Sequence, residues 1–205
     1  MFYEKYGGIF MESKSNGLII KGSMDNENVS RSVKETFEWG SSLFFAFSVC
    51  FFITIFIMFF TVSGESMLPT LHDGDKLLIN KFMYTPQKGD IVTIDSNERL
   101  NKNIVKRVIA TPGDTFKIDY DNHEVYVNGQ VLNEDYIYEP TVSRGDGAIP
   151  NNVLITVPEG HVIVLGDNRN HSADSRYSVI GLVSHNKIYG RAFAINWPLD
   201  RIRLF

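Results

Sequence analysis

Residues 39–64 contain no charged side chain, and residues 43–60 are apolar apart from Ser48 and Thr54. No other stretch narrows the possible folds so far. The hydrocarbon core of a bilayer takes about 20 such residues as a helix. A helix built from this run is apolar on every face, which a surface helix of a soluble domain is not. Isolated Ser and Thr side chains are accommodated by bonding back to the helix backbone, and Trp39 sits where an interfacial aromatic anchor belongs. A cleaved secretory signal has an apolar core of only about 7–15 residues, and here a long polar stretch comes first. The expectation is one transmembrane helix over residues 39–62, a polar tail before it (1–38) and a folded domain after it (63–205).

The flanking charges do not orient the span. Arg31 and Lys34 precede it and Lys76 and Lys81 follow it, nearly a tie under the positive-inside rule. Residues 1–38 mix five basic and six acidic side chains without sustained periodicity. They read as a flexible tail, too short and irregular for an independent DNA-binding domain. A net charge of −4 over 205 residues gives no electrostatic basis for a nucleic-acid partner. Cys50 is the single cysteine and lies inside the apolar run, so no intrachain disulfide shapes the fold.

Beyond residue 63 the pattern changes to short apolar stretches punctuated by turn residues. Strands are expected at 75–80, 91–94, 104–110, 115–119, 124–127, 130–132, 154–157 and 161–165. Asn128-Gly129 reads as a hairpin turn, residues 86–90 and 111–114 as further turns, and residues 141–152 as a loop. Such spacing without a helical period predicts a mainly β domain of partly closed antiparallel sheets, preceded by the one transmembrane helix.

Three clusters carry chemistry. Ser66 sits in a small-residue turn directly after the apolar run, between Gly64, which permits unusual backbone angles, and Pro69. A serine hydroxyl is a weak nucleophile until a base takes its proton. In the strand around Lys106, alternation puts Ile104, Lys106 and Val108 on one face and Val105, Arg107 and Ile109 on the other. Of the two cations only lysine can serve as a base, because arginine stays protonated and an amine on an apolar face has its pKa lowered. Residues 165–176 form a loop dense in turn formers and hydrogen-bonding groups, with Asp174 and Arg176 placed to pair. Each motif also has a plain reading: a turn serine, a lysine with its head in water, a hydrogen-bonded loop.

Together, Gly64-Glu65-Ser66-Met67-Leu68-Pro69-Thr70, Gly89-Asp90-Ile91-Val92, Lys106 through Asp114, and Gly166-Asp167-Asn168-Arg169 with Ser172-Ala173-Asp174-Ser175-Arg176 resemble, in order, the signature boxes of bacterial type I signal peptidases. The resemblance spans roughly residues 61–205, departing at Ala110-Thr111, where many members have Gly-Leu. It implies a serine endopeptidase that removes signal peptides from exported preproteins after small residues. It also implies a bacterial cytoplasmic-membrane location, the N-terminus inside and the catalytic domain outside. Ser66 is then the nucleophile and Lys106 the general base, with Ser172 hydrogen-bonded to the amine and orienting it. Asp174 and Arg176 steady the loop, and Asp167 supports the site. Val62, Met67, Leu71, Leu77, Ile104 and Val105 line shallow pockets for small side chains. The implied partners are preprotein signal peptides, the lipid bilayer and the secretion machinery; no metal, cofactor or nucleic acid is called for. Some members carry a serine two residues before the nucleophile to assist the oxyanion hole. Gly64 stands there in this chain, which leaves backbone donors, the Ser66 N–H first among them.

Three rival readings use parts of the same pattern. A self-cleaving Ser/Lys repressor-type domain should have a soluble DNA-binding domain where this chain has an apolar span. A Ser-His-Asp hydrolase would recruit His72, His123, His161, His171 or His185. A membrane-anchored β module without activity should have lost Ser66 or Lys106.

Overall fold

The structure, a computed structural model, describes residues 26–96 and 100–205, with side chains from Val33 onward; most of the expected tail lies outside the described residues. The chain divides into two compact units, Met1–Phe47 and Ser48–Phe205, and among the described residues all strands lie in the second. Helix α1, Asn26–Phe56, takes up most of the apolar run. Its segment Val33–Phe56 is long and apolar enough to cross a membrane. The side chains of Phe44, Phe45, Phe47 and Phe51 are exposed. Ser41 and Ser42 donate to the Glu38 carbonyl at 2.9 Å, and Thr54 to that of Phe51 at 2.8 Å. Hydroxyls in the run are thus satisfied by the helix itself.

The helix stops before the apolar run does. Residues Ile57–Thr61 form strand β1, paired antiparallel with β2, Lys76–Asn80. Nothing in Ile57-Met58-Phe59-Phe60 marks the switch, because the hydrophobicity is continuous; β2 supplies the backbone partners that decide it. The remaining strands are β3 Ile91–Ile94, β4 Ile104–Ala110, β5 Thr115–Asp119, β6 Glu124–Val127, β7 Gln130–Val131, β8 Ile155–Thr156, β9 His161–Leu165, β10 Val183–Ser184, β11 Ile188–Trp197 and β12 Arg203–Leu204. One sheet runs β1-β2-β11-β3-β4-β9-β10, with β12 on β11; the other runs β7-β6-β5-β8. Every pairing is antiparallel. The mainly β expectation is met.

Strand β11 lies at the heart of the larger sheet, between β2 and β3, yet its sequence does not announce it. Gly190, Ala192 and Ala194 alternate through it, all buried, where β-branched residues would have marked a strand. Close packing explains the small residues: a Cβ on Gly190 would lie 2.1 Å from the Asn80 carbonyl oxygen.

Among the described residues, three apolar clusters fill the domain. One joins the two sheets through Ile109, Phe116, Ile118, Val125 and Ile163. A second, with Leu71, Leu77, Ile79, Ile91 and Ile195, underlies residues 62–71. A third packs Ile104 and Val108 against Val92, Val162 and Val164. Ile104 and Val108 share a cluster that Val105 and Ile109 do not enter, the alternation expected of β4.

Candidate active site

Between β1 and β2 the chain makes a loop, residues 62–75. Its neck is closed by Val62 N–H donating to Asp75 O at 2.8 Å and Gly74 N–H to Val62 O at 3.0 Å. Arg201 grips Asp75 through two bonds, 3.0 and 2.9 Å, and Asp75 Oδ2 accepts from His72 N–H at 2.8 Å. Just inside the neck, Gly64 N–H donates to Asp73 Oδ1 at 2.7 Å. Gly64 has φ +88, and a Cβ there would meet nothing within 4 Å. The left-handed backbone, rather than lack of room, is what requires glycine.

Ser66 projects from this loop toward β4. Lys106 Nζ lies 2.7 Å from Ser66 Oγ and donates to Val105 O at 2.7 Å. Lys106 is 3% exposed. Burial pulls its pKa from the ordinary 10.5 down to about 8, against the upward pull of Asp174. That carboxylate is already engaged. Asp174 and Arg176 form a fully buried pair at 2.7 Å, and Asp174 Oδ2 also accepts from Gly166 N–H at 3.0 Å. Among the described residues the lysine is therefore desolvated without an ion-pair partner of its own, the condition under which an amine gives up its proton near neutral pH.

Loop 165–176 backs the serine. Asn168 donates through its N–H to Ser66 O and through Nδ2 to Glu65 O, both at 3.1 Å. A Cβ on Gly166 would sit 2.2 Å from Ser172 Oγ and 2.5 Å from Ser66 O, so the loop lies flat against the serine only because residue 166 lacks a side chain. Ser172 is buried beside Gly166, and its hydroxyl has no hydrogen-bond partner among the described residues. The amine's recorded partners are Ser66 and Val105 rather than Ser172.

Arg107, on the opposite face of β4, ties the surrounding loops together. It makes paired bonds to Asp167 at 2.8 and 2.6 Å and donates to Gly89 O at 2.8 Å. It also reaches Thr70 Oγ1 at 3.4 Å and stacks on Tyr136 with its guanidinium 4.1 Å from the ring centroid. Arg169, fully buried, pairs with Glu134 and donates to Thr141 Oγ1 at 2.9 Å and Gly166 O at 3.1 Å. Sequence reading gave Asp167 a supporting place but missed Arg107, Glu134, Arg169 and Asn168, whose partners are distant in the chain. The dense turn formers of 166–170 were the one available signal for Asn168.

A cleft of about 210 Å³ opens over the pair, lined by Phe60, Val62, Ser63, Gly64, Glu65, Ser66 and Met67 on one side and residues 102–106 on the other. Of the six residues expected to form pockets, Val62, Met67, Ile104 and Val105 line this cleft; Leu71 and Leu77 are buried in the cluster beneath the loop instead. His171 lines the cleft too, whereas His123 and His161 engage the carbonyls of Thr141 and Glu159. The recorded partner of the Ser66 hydroxyl is an amine, not an imidazole.

Comparison with known proteins gives the family. Residues 36–197 match the family described as signal peptidase, peptidase S26. The chain is 36% identical over 187 residues to signal peptidase IB of Staphylococcus aureus, covering 83% of this chain and 94% of the relative. It is 36% identical over 182 residues to signal peptidase I P of Bacillus subtilis subsp. natto, covering 84% and 95%. A crystal structure of a signal peptidase I from Enterococcus faecalis V583 is similar at 31% identity and a TM-score of 0.41, over 53% of this chain and 97% of that one.

Proposed function

The chain belongs to the S26 signal peptidases, serine peptidases by family, and on that premise we propose that it is a membrane-anchored endopeptidase that cleaves signal peptides after small residues with a Ser66/Lys106 dyad. The observation that carries the reading is the 2.7 Å approach of Lys106 Nζ to Ser66 Oγ, made by an amine that is 3% exposed.

The neutral amine accepts the Ser66 proton as Oγ attacks the scissile carbonyl. The oxygen turns negative and is met by the Ser66 N–H, which has no acceptor among the described residues. Collapse expels the new amino terminus, which takes the proton back from the Lys106 ammonium. Lys106 then deprotonates the water that hydrolyses the acyl-enzyme. The unpartnered Ser172 hydroxyl supports a role as acceptor for an amine N–H. A hydroxyl steers the lysine without holding it protonated, as a carboxylate would. Asp174, Arg176, Arg107 and Asp167 keep the loops in register.

The cleft suits an extended peptide laid between residues 60–64 and 102–106, with alternate side chains turned toward Val62, Met67, Ile104 and Val105. Its modest volume favours small side chains. Helix segment Val33–Phe56 anchors the enzyme in the bilayer that holds the apolar part of the substrate, with the catalytic domain on the outer side. The test is cleavage of a preprotein by the purified chain in detergent micelles. Ser66→Ala, Lys106→Ala and the double variant should each abolish turnover to a similar degree, because the two groups act as one unit. Strong residual cleavage by Lys106→Ala would assign the base elsewhere, with His171 the first suspect.

A further inference from the structure

The peptide that carries the oxyanion donor is held by its opposite end. The carbonyl of Glu65 accepts from Asn168 Nδ2 at 3.1 Å and from Leu68 N–H at 3.1 Å. A peptide unit is planar and trans, so its N–H points opposite to its C=O. The Glu65 carbonyl and the Ser66 N–H belong to one such unit. Turning the carbonyl toward Asn168 therefore turns the Ser66 N–H the other way. Both residues line the cleft, and that N–H has no acceptor among the described residues.

The rest of the turn gives the unit little other support. Ser63, Gly64 and Glu65 are exposed, and Gly64 imposes the weakest backbone restraint of any residue. Asn168 also fixes the following unit, its own N–H meeting Ser66 O at 3.1 Å. One residue thus grips two consecutive carbonyls, on either side of the nucleophile's Cα. Asn168 is 3% exposed, and its Oδ1 is buried without a hydrogen-bond partner among the described residues. A buried acceptor left unpaired carries a desolvation cost, so the position is not explained by satisfying the amide as a whole. The donor end is the part in use.

We infer that Asn168 is a positioning residue of the oxyanion hole: through the Glu65 carbonyl it sets the direction of the Ser66 N–H without touching the substrate. This rests on the reading of Ser66 as nucleophile. Loss of Nδ2 leaves the Leu68 bond in place, so the donor is loosened rather than removed. The effect should fall below the roughly 100- to 1000-fold cost of losing an oxyanion donor outright.

The experiment uses the full chain in detergent micelles with three measurements: preprotein turnover, affinity for a peptide ending in an aldehyde, and affinity for the corresponding product peptide. Ser66 Oγ adds across the aldehyde C=O, its proton passing by way of Lys106, and the adduct's oxygen occupies the oxyanion site. Asn168→Ala should lower kcat about 10- to 100-fold with KM changed less than about twofold. Aldehyde affinity should fall in parallel with kcat/KM, product affinity should hold, and the acidic limb of the pH profile should stay in place. Asn168→Asp keeps the volume but turns an acceptor toward the Glu65 carbonyl, and should be at least as slow. It decides by the same aldehyde-to-product ratio if the alanine variant does not fold. A purely structural role would lower both affinities together. That result, turnover within about twofold of wild type, or loss of folding in both variants would overturn the inference. Wild-type protein that neither cleaves the preprotein nor binds the aldehyde would instead refute the nucleophile assignment itself.

Discussion

Replacing Lys106 with methionine should kill the enzyme and stabilise the fold. The side chain is 3% exposed, and burial lowers its pKa from 10.5 to about 8. At ~1.4 kcal/mol per tenfold change, keeping the proton in the folded state costs about 3 kcal/mol. Below pH 8 both folded and unfolded chains hold that proton, and the full cost is present. Between pH 8 and 10.5 the unfolded chain still holds it while the folded chain has released it, so wild-type stability rises with pH. Above 10.5 neither form is protonated and the cost is gone. Methionine matches the unbranched shape of the lysine stem but forfeits the bonds to Ser66 and Val105, together worth about 2 kcal/mol. The net expectation at pH 6.5 is a variant more stable by about 1 kcal/mol, or about 2–4 °C in Tm for a chain of this size. The gap should close and change sign by about pH 9.5. Calorimetry of both proteins in the same detergent at the two pH values measures it. A variant less stable than wild type at pH 6.5, or a gap that does not change with pH, would show that the amine is not held desolvated and would remove the physical basis for its acting as a base.

The same amine should set the rate profile. The kcat/KM for preprotein cleavage should fall on acidification through about pH 8, following Lys106; a rate still climbing past pH 10 would contradict its burial. Gly166→Ala should abolish turnover, since its Cβ would meet Ser66 O at 2.5 Å and Ser172 Oγ at 2.2 Å; wild-type kcat in a folded variant would mean the loop gives way freely. At Gly64 the strain comes from φ +88 in open space, so Gly64→Ala should be slower than wild type while Gly64→Ser, which adds a hydroxyl donor near the oxyanion, regains part of the loss. Equal rates for the two substitutions would show that the hydroxyl does not reach.

Short runs rich in β-branched residues, set off by turn formers, were legible from sequence. β3, β4, β5, β6 and β9 have the expected bounds. β1 was hidden inside an apolar run that reads the same as helix or strand. β11 was hidden because its neighbours dictate small residues, as the contact distance at Gly190 shows. The local motifs around Ser66, Lys106 and 166–176 were readable too, and the fold brings them together. What sequence could not disclose is how they are tied. Asn168 meets Glu65 across 103 positions and Arg107 meets Asp167 across 60; such pairs follow from topology, not from any local pattern. Of the pocket residues that the resemblance implies, Val62, Met67, Ile104 and Val105 line the cleft, and Leu71 and Leu77 lie in the cluster beneath the loop.

Strand order also bears on when the molecule comes into being as it is synthesised. β2 and β3 are consecutive in the chain but not adjacent in the sheet; β11 is inserted between them. Arg201, which holds Asp75 at the neck of the serine loop, is made 126 positions after its partner. A nascent chain that has emerged as far as residue 187 already contains the serine, the lysine and the loop behind them. It still has a gap in the middle of its sheet and an unlatched loop. Non-local pairings of this kind are the slow, late steps of folding. Completion of the site therefore waits for residues 188–204, which close the sheet and latch the loop that carries Ser66.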